Sequence, residues 1–169
     1  MSQSSQSTGL VETAEATYNK LDLPSLPASI KELLITFAPW LSLLSGVLGL
    51  LVFIPGAVVL LVISPLAGTA GAGLGYVATI IHLILSAVGA VISLMAFSGL
   101  RQRALRGWTM MFWATAVYLV AGLLPPGIGA IISTIIGGAA GLYLLFQTKP
   151  YYDGTLAASA MAPAPSANV

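Results

Sequence analysis

The chain has 169 residues, six basic and five acidic side chains for a net charge of +1, and no cysteine. Hydrophobic residues make up 57% of it and charged residues only 7%, against about 25% charged in soluble domains. That balance excludes a sizeable soluble domain, recruitment of nucleic acid by bulk positive charge, disulfides and thiolate metal sites.

The charges are also unevenly placed. Leu33 to Leu100 is 68 residues without Asp, Glu, Lys or Arg, and Gly107 to Thr148 is another 42. Mean hydropathy is +0.97. Hydrocarbon rejects charge and favours apolar length, so the pattern reads as an integral membrane protein of several spans.

In chain order, residues 1–32 form a polar N-terminal region without a secretory leader pattern. Residues 1–9 read as a disordered tail. Residues 10–23 set Leu10, Ala14, Tyr18 and Leu21 at helical spacing, with Glu12, Glu15, Asn19 and Lys20 elsewhere on the wheel. This predicts a short amphipathic helix at the membrane surface. Pro24 and Pro27 break the chain, and Ser29 with Glu32 has capping-box spacing for a helix starting near Ile30.

Residues 33–148 form the membrane unit. A span needs roughly 20 residues, which predicts spans at about 40–63, 76–98, 108–124 and 128–146. The connections are a Pro- and Gly-containing turn at 64–75, the basic loop Arg101–Arg106, and a hairpin at Pro125-Pro126-Gly127. Residues 149–169 are rich in Ala, Pro and Ser and read as disordered. One alternative remains at Pro55-Gly56, which either kinks the first span or closes a hairpin, giving five spans and an external N-terminus. The fold expected is all-α, an antiparallel four-helix transmembrane bundle with a short N-terminal amphipathic helix.

With four spans, all six Lys and Arg share one side with both termini, and the opposite loops have none. The positive-inside rule makes that side cytoplasmic. Trp40, Trp108, Tyr143, Tyr151 and Tyr152 fall near the same interface, where an aromatic belt belongs.

Three features carry the candidate chemistry. In the fourth span Gly129, Ser133, Gly137 and Gly141 recur every four residues. Such a small-residue stripe lets a second backbone approach, either within the chain or across an oligomer or larger membrane complex. His82 is the one side chain within the first apolar run that titrates near neutral pH. It is expected to be buried and hydrogen-bonded, with Ser86 one turn away, other hydroxyls, or free carbonyls near Pro55 as partners. Its alternative is a ligand role toward chlorophyll or haem, since Ala78-x-x-x-His82 has the small-residue spacing of antenna polypeptides. Arg101, Arg103 and Arg106 set topology or meet anionic headgroups.

The run Phe97-Ser98-Gly99-Leu100, the basic loop, Gly107-Trp108-x-x-x-Phe112-Trp113, the small-residue final helix, Gly141 to Gln147 and Tyr151-Tyr152 resembles a group of small polytopic bacterial membrane proteins of unknown function. The likeness covers about residues 90–152. It implies a bacterial inner or thylakoid membrane and carries no activity with it.

The sequence shows no P-loop, dinucleotide fingerprint, zinc motif or paired carboxylates in its spans. The function expected is therefore non-enzymatic: an accessory or scaffold protein packing through small-residue helix faces, with the lipid bilayer as its solvent and no cofactor. The alternatives are a pore or carrier for small uncharged solutes, or a pigment- or haem-binding subunit built on His82.

Overall fold

The computed structural model describes residues 3–21, 24–69, 73–124 and 127–154. Among them are five α-helices and one short 3₁₀ turn, and no strand. The helices are α1 (Gln3–Lys20), α2 (Ala28–Thr69), α3 (Gly73–Arg101), α4 (Leu105–Gly122) and α5 (Ile128–Thr148), and the 3₁₀ turn covers Lys149–Tyr151. Residues 155–169 of the C-terminal region lie outside the described residues.

α2, α3 and α5 are each long and apolar enough to cross a membrane. α2 has 42 residues, a length of about 63 Å at 1.5 Å per residue. That is roughly twice the hydrocarbon thickness. Its first turns, bearing Lys31 and Glu32, are therefore not part of an apolar span. α4 is shorter, with 18 residues and Arg106 in its first turn, and does not meet the same length and hydropathy.

Pro55-Gly56 does not close a hairpin. α2 runs unbroken through Pro39, Pro55 and Pro65. Each proline removes one amide donor, so the carbonyl four residues earlier loses its helical partner. Ser64 Oγ supplies one replacement, donating to the Leu61 carbonyl at 2.9 Å, the carbonyl that Pro65 leaves. Gly56 lies against Leu83 of α3. α2 also continues through the first half of the expected 64–75 turn and α3 already begins at Gly73, leaving residues 70–72 outside the described part.

The helices pack in chain order. α3 packs along both α2 and α4, α5 packs on α4, and α2 and α5 barely touch. Contacts descend along each pair: Gly46 meets Leu94 and Gly56 meets Leu83, Gly99 meets Gly107 and Gly89 meets Tyr118. α3 is thus the central helix, with Gly89, Ala90, Ser93, Ala96 and Leu100 buried. α5 is peripheral; none of its most apolar stretch is buried, against 22% for α3.

The turn between α3 and α4 closes through main-chain bonds. Ala104 N–H donates to the Gly99 carbonyl at 2.9 Å and Arg103 N–H to the Leu100 carbonyl at 3.1 Å. This is a Schellman pattern with Arg103 in the left-handed position, φ 52°. Glycine usually fills that place, because a Cβ there costs about 1 kcal/mol.

Candidate functional site

The densest side-chain organisation lies where the first helix, the 24–27 segment, the start of α4 and the end of α5 meet. Its base is an aromatic and aliphatic cluster of Ile35, Ala96, Leu100, Trp108, Phe112, Phe146 and Tyr152. Trp108 is fully buried. Its indole Nε1–H donates to the Leu145 carbonyl at 2.8 Å, and Thr148 Oγ1 donates to the same carbonyl at 2.9 Å. The last four carbonyls of a helix have no intrahelical donor, so these two side chains supply what the end of α5 lacks.

α1 docks on that end of α5. Val11, Ala14 and Tyr18 pack against the cluster. Leu10 and Leu21, expected to share one membrane-facing apolar side with Ala14 and Tyr18, do not take part in the docking and are 58% and 61% exposed. The face is rotated toward Val11 because Glu15, which lies beyond Tyr18 and Val11 on the wheel and away from Leu10 and Leu21, pairs with Lys149, and that pair and the apolar contacts share one side. α1 also begins at Gln3, within the region read as a disordered tail.

Gln147 fixes the junction. It is 7% exposed. Its Nε2 donates to Tyr18 Oη at 2.7 Å and to the Pro24 carbonyl at 3.2 Å. Its Oε1 accepts from Leu26 N–H at 3.4 Å. Tyr143 Oη adds a bond to the Pro24 carbonyl at 2.5 Å. Burial and the neighbouring Tyr143 push the Tyr18 hydroxyl above its ordinary pKa, partly opposed by the Gln147 bond. Lys149 also sits 5.6 Å from the centre of the Trp108 ring, a cation–π placement.

His82 is half-buried, and its Nδ1 lies 2.7 Å from the Ala121 carbonyl. A carbonyl only accepts, so Nδ1 carries the proton and Nε2 keeps the lone pair in the neutral ring. The partner is a carbonyl, as expected, but it belongs to the last turn of α4 rather than to the Pro55 region or to Ser86. The reason is geometric: α4 ends beside His82 and its terminal carbonyls need donors. Leu124 N–H and Thr134 Oγ1 supply two more donors, bonding the Ala121 and Gly122 carbonyls at 3.2 Å each.

The stripe on α5 divides. Gly129 and Gly137 would meet nothing within 4 Å if they carried a Cβ, and Ser133 is exposed. Gly141 lies beside Thr115 of α4. The close contact within the chain runs instead through Gly138, against Leu119, and Gly122, against Thr134. Arg101, Arg103 and Arg106 are all exposed. Trp40 is 61% exposed and meets Phe97 edge-on.

Tyr152 departs from the expected belt. Instead of facing outward it is 5% exposed, and residues 149–154, expected to be disordered, form a turn held by Tyr152 N–H to the Lys149 carbonyl at 2.8 Å. Gln147 and the Glu15–Lys149 pair had one legible signal, a lone amide in the last turn of an apolar helix. The choice of partners 120 or more residues away had none.

Compared with family models, curated proteins and solved structures, the chain matches none of them.

Proposed function

We propose that α2 to α5 all cross a bilayer as an antiparallel bundle with both termini cytoplasmic, and that the protein is a non-catalytic accessory or scaffold subunit. The observation that carries this reading is the division of glycines on α5. Gly138, together with Gly122 of α4, serves the chain's own packing, whereas Gly129 meets nothing and Ser133 and Gly137 line a groove beside Thr115, Tyr118 and Leu119 of α4 that no other helix fills among the described residues. Glycine in a helix interior costs about 1 kcal/mol relative to alanine, so two glycines that serve no internal contact suit a second helix approaching closely. That helix belongs to another copy of the chain or to a partner membrane protein.

The test compares neighbouring glycines. Gly137→Ile should leave thermal stability in detergent unchanged and abolish association, read by native mass spectrometry and by co-purification from the native membrane. Gly138→Ile should lower stability itself, because its side chain meets Leu119. Unchanged association in Gly137→Ile would sink the scaffold reading.

A further inference from the structure

Where α3 ends, Arg101 and Arg103 line a cavity of about 170 Å³ together with Ile35 and Trp40 of α2 and Phe97 and Leu100 of α3. The charge-free run Leu33–Leu100 stops at this place, so the cavity straddles the boundary between apolar helix and basic loop. Arg101, Arg103 and Trp40 are exposed. The cavity is therefore open, and two long arginine side chains reach a guest at its mouth. A cavity of about 150 Å³ already holds a benzene-sized guest.

Two observations set this pair of arginines apart. First, neither forms an ion pair or a side-chain hydrogen bond, and no carboxylate lines the cavity among the described residues. Second, Arg103 holds the left-handed position of the Schellman turn, φ 52°, where glycine would be unstrained. A strained residue at a place that glycine fills more easily points to a use for its side chain. The apolar lining continues away from the arginines: Trp40, Leu44, Val47 and Leu51 recur on one face of α2, and all are exposed.

We propose that this cavity is a specific site for one anionic phospholipid of the leaflet at that end. Arg101 and Arg103 donate to its phosphate oxygens, a pairing that suits the planar guanidinium. One acyl chain leaves past Trp40 and Phe97 along the apolar face of α2. Phosphate chemistry alone is shared with the free ion, and the aromatic wall with the apolar face beyond it selects the lipid. The site needs α2 and α3 in a bilayer. It is independent of the scaffold reading, since neither Gly137 nor α5 plays a part in it.

The test reconstitutes the full chain carrying Trp113→Phe in phosphatidylcholine bilayers. That leaves Trp40 at the cavity and Trp108, which is fully buried. Part of the lipid is replaced by brominated phosphatidylglycerol or by brominated phosphatidylcholine, and quenching of Trp40 fluorescence is read at physiological salt. Phosphatidylglycerol should quench saturably at a mole fraction about tenfold lower than phosphatidylcholine, the scale of one charge-assisted hydrogen bond. Millimolar inorganic phosphate should not relieve it. Arg101→Gln and Arg103→Gly should each remove most of that preference. Arg103→Gly also removes the strained Cβ, so its melting temperature should be unchanged or higher, which separates lost binding from lost folding. Arg106→Gln removes the same charge one turn further on without touching the cavity, and should keep the preference. Equal quenching by the two lipids, an equal loss in Arg106→Gln, or relief by inorganic phosphate overturns the lipid site. No quenching by either lipid overturns the bilayer reading with it.

Discussion

Individual side chains in this protein act mainly as caps for helix ends that water cannot reach. His82 serves the end of α4, and Trp108 and Thr148 serve the end of α5. His82→Leu should destabilise by about 1–2 kcal/mol, because one donor to the Ala121 carbonyl is lost while the Leu124 amide remains. His82→Asn should be better tolerated than His82→Gln, since the bond is made by Nδ1 and the Asn amide reaches a similar distance from the backbone. Chemical denaturation in mixed micelles measures both. Gln147 should matter more than the nearby ion pair. Gln147→Ala removes three bonds at a buried position and should cost about 1–3 kcal/mol. Glu15→Gln should cost less than about 1 kcal/mol, because the Glu15 and Lys149 side chains keep 34% and 19% exposure. Limited proteolysis of the 21–27 segment, read against stability, should show release of α1 in the first variant and little change in the second.

At the scale of elements, glycine decides how closely the helices approach. α3 and α4 touch backbone to backbone at Gly99 and Gly107, where a Cβ on Gly99 would sit 2.6 Å from the Gly107 Cα. Neither backbone can move without opening the Schellman turn between them. Gly107→Ala should therefore cost about 3 kcal/mol, whereas Gly137→Ala, facing open space, should change stability by less than about 0.5 kcal/mol. Thermal unfolding of the two variants side by side checks the contrast. α2 illustrates the opposite principle. Three prolines do not end it, because its hydrophobic length and its packing along α3 outweigh the amide donors lost.

For the whole molecule, charge and structure gather at the same end. Lys31 and Lys149 share one polar cavity with Glu15. Arg101 and Arg103 line another with Ile35 and Trp40. The basic residues and the docked α1 thus gather at one end, which the orientation proposed above makes cytoplasmic. Cysteine labelling checks this cleanly, since the chain has no native Cys. Cysteines at Ser5, Gln102 and Asp153 should react only from the cytoplasmic face. Labelling of Gln102→Cys from the opposite face would reverse the orientation, and labelling of Ser5→Cys alone from that face would require an odd number of crossings.

The sequence by itself determined the helical class, the apolar lengths and the one-sided charge, because a bilayer imposes those properties residue by residue. It located the breaks at Pro24–Pro27, at the arginine loop and between α4 and α5 for the same reason: proline, glycine and charge act locally; the expected hairpin residues 125 and 126 themselves lie outside the described residues. Continuity through Pro55 was a balance between one lost hydrogen bond and packing along Leu83 and its neighbours, and only the tertiary structure decided it. The same holds for which glycines meet a helix and which stay bare, since Gly137 and Gly138 are adjacent and differ only in the direction they face. Tyr152 looked like a surface anchor and is buried, because it packs in the cluster of Ile35, Leu100, Trp108 and Phe146, whose helices converge only in the folded chain.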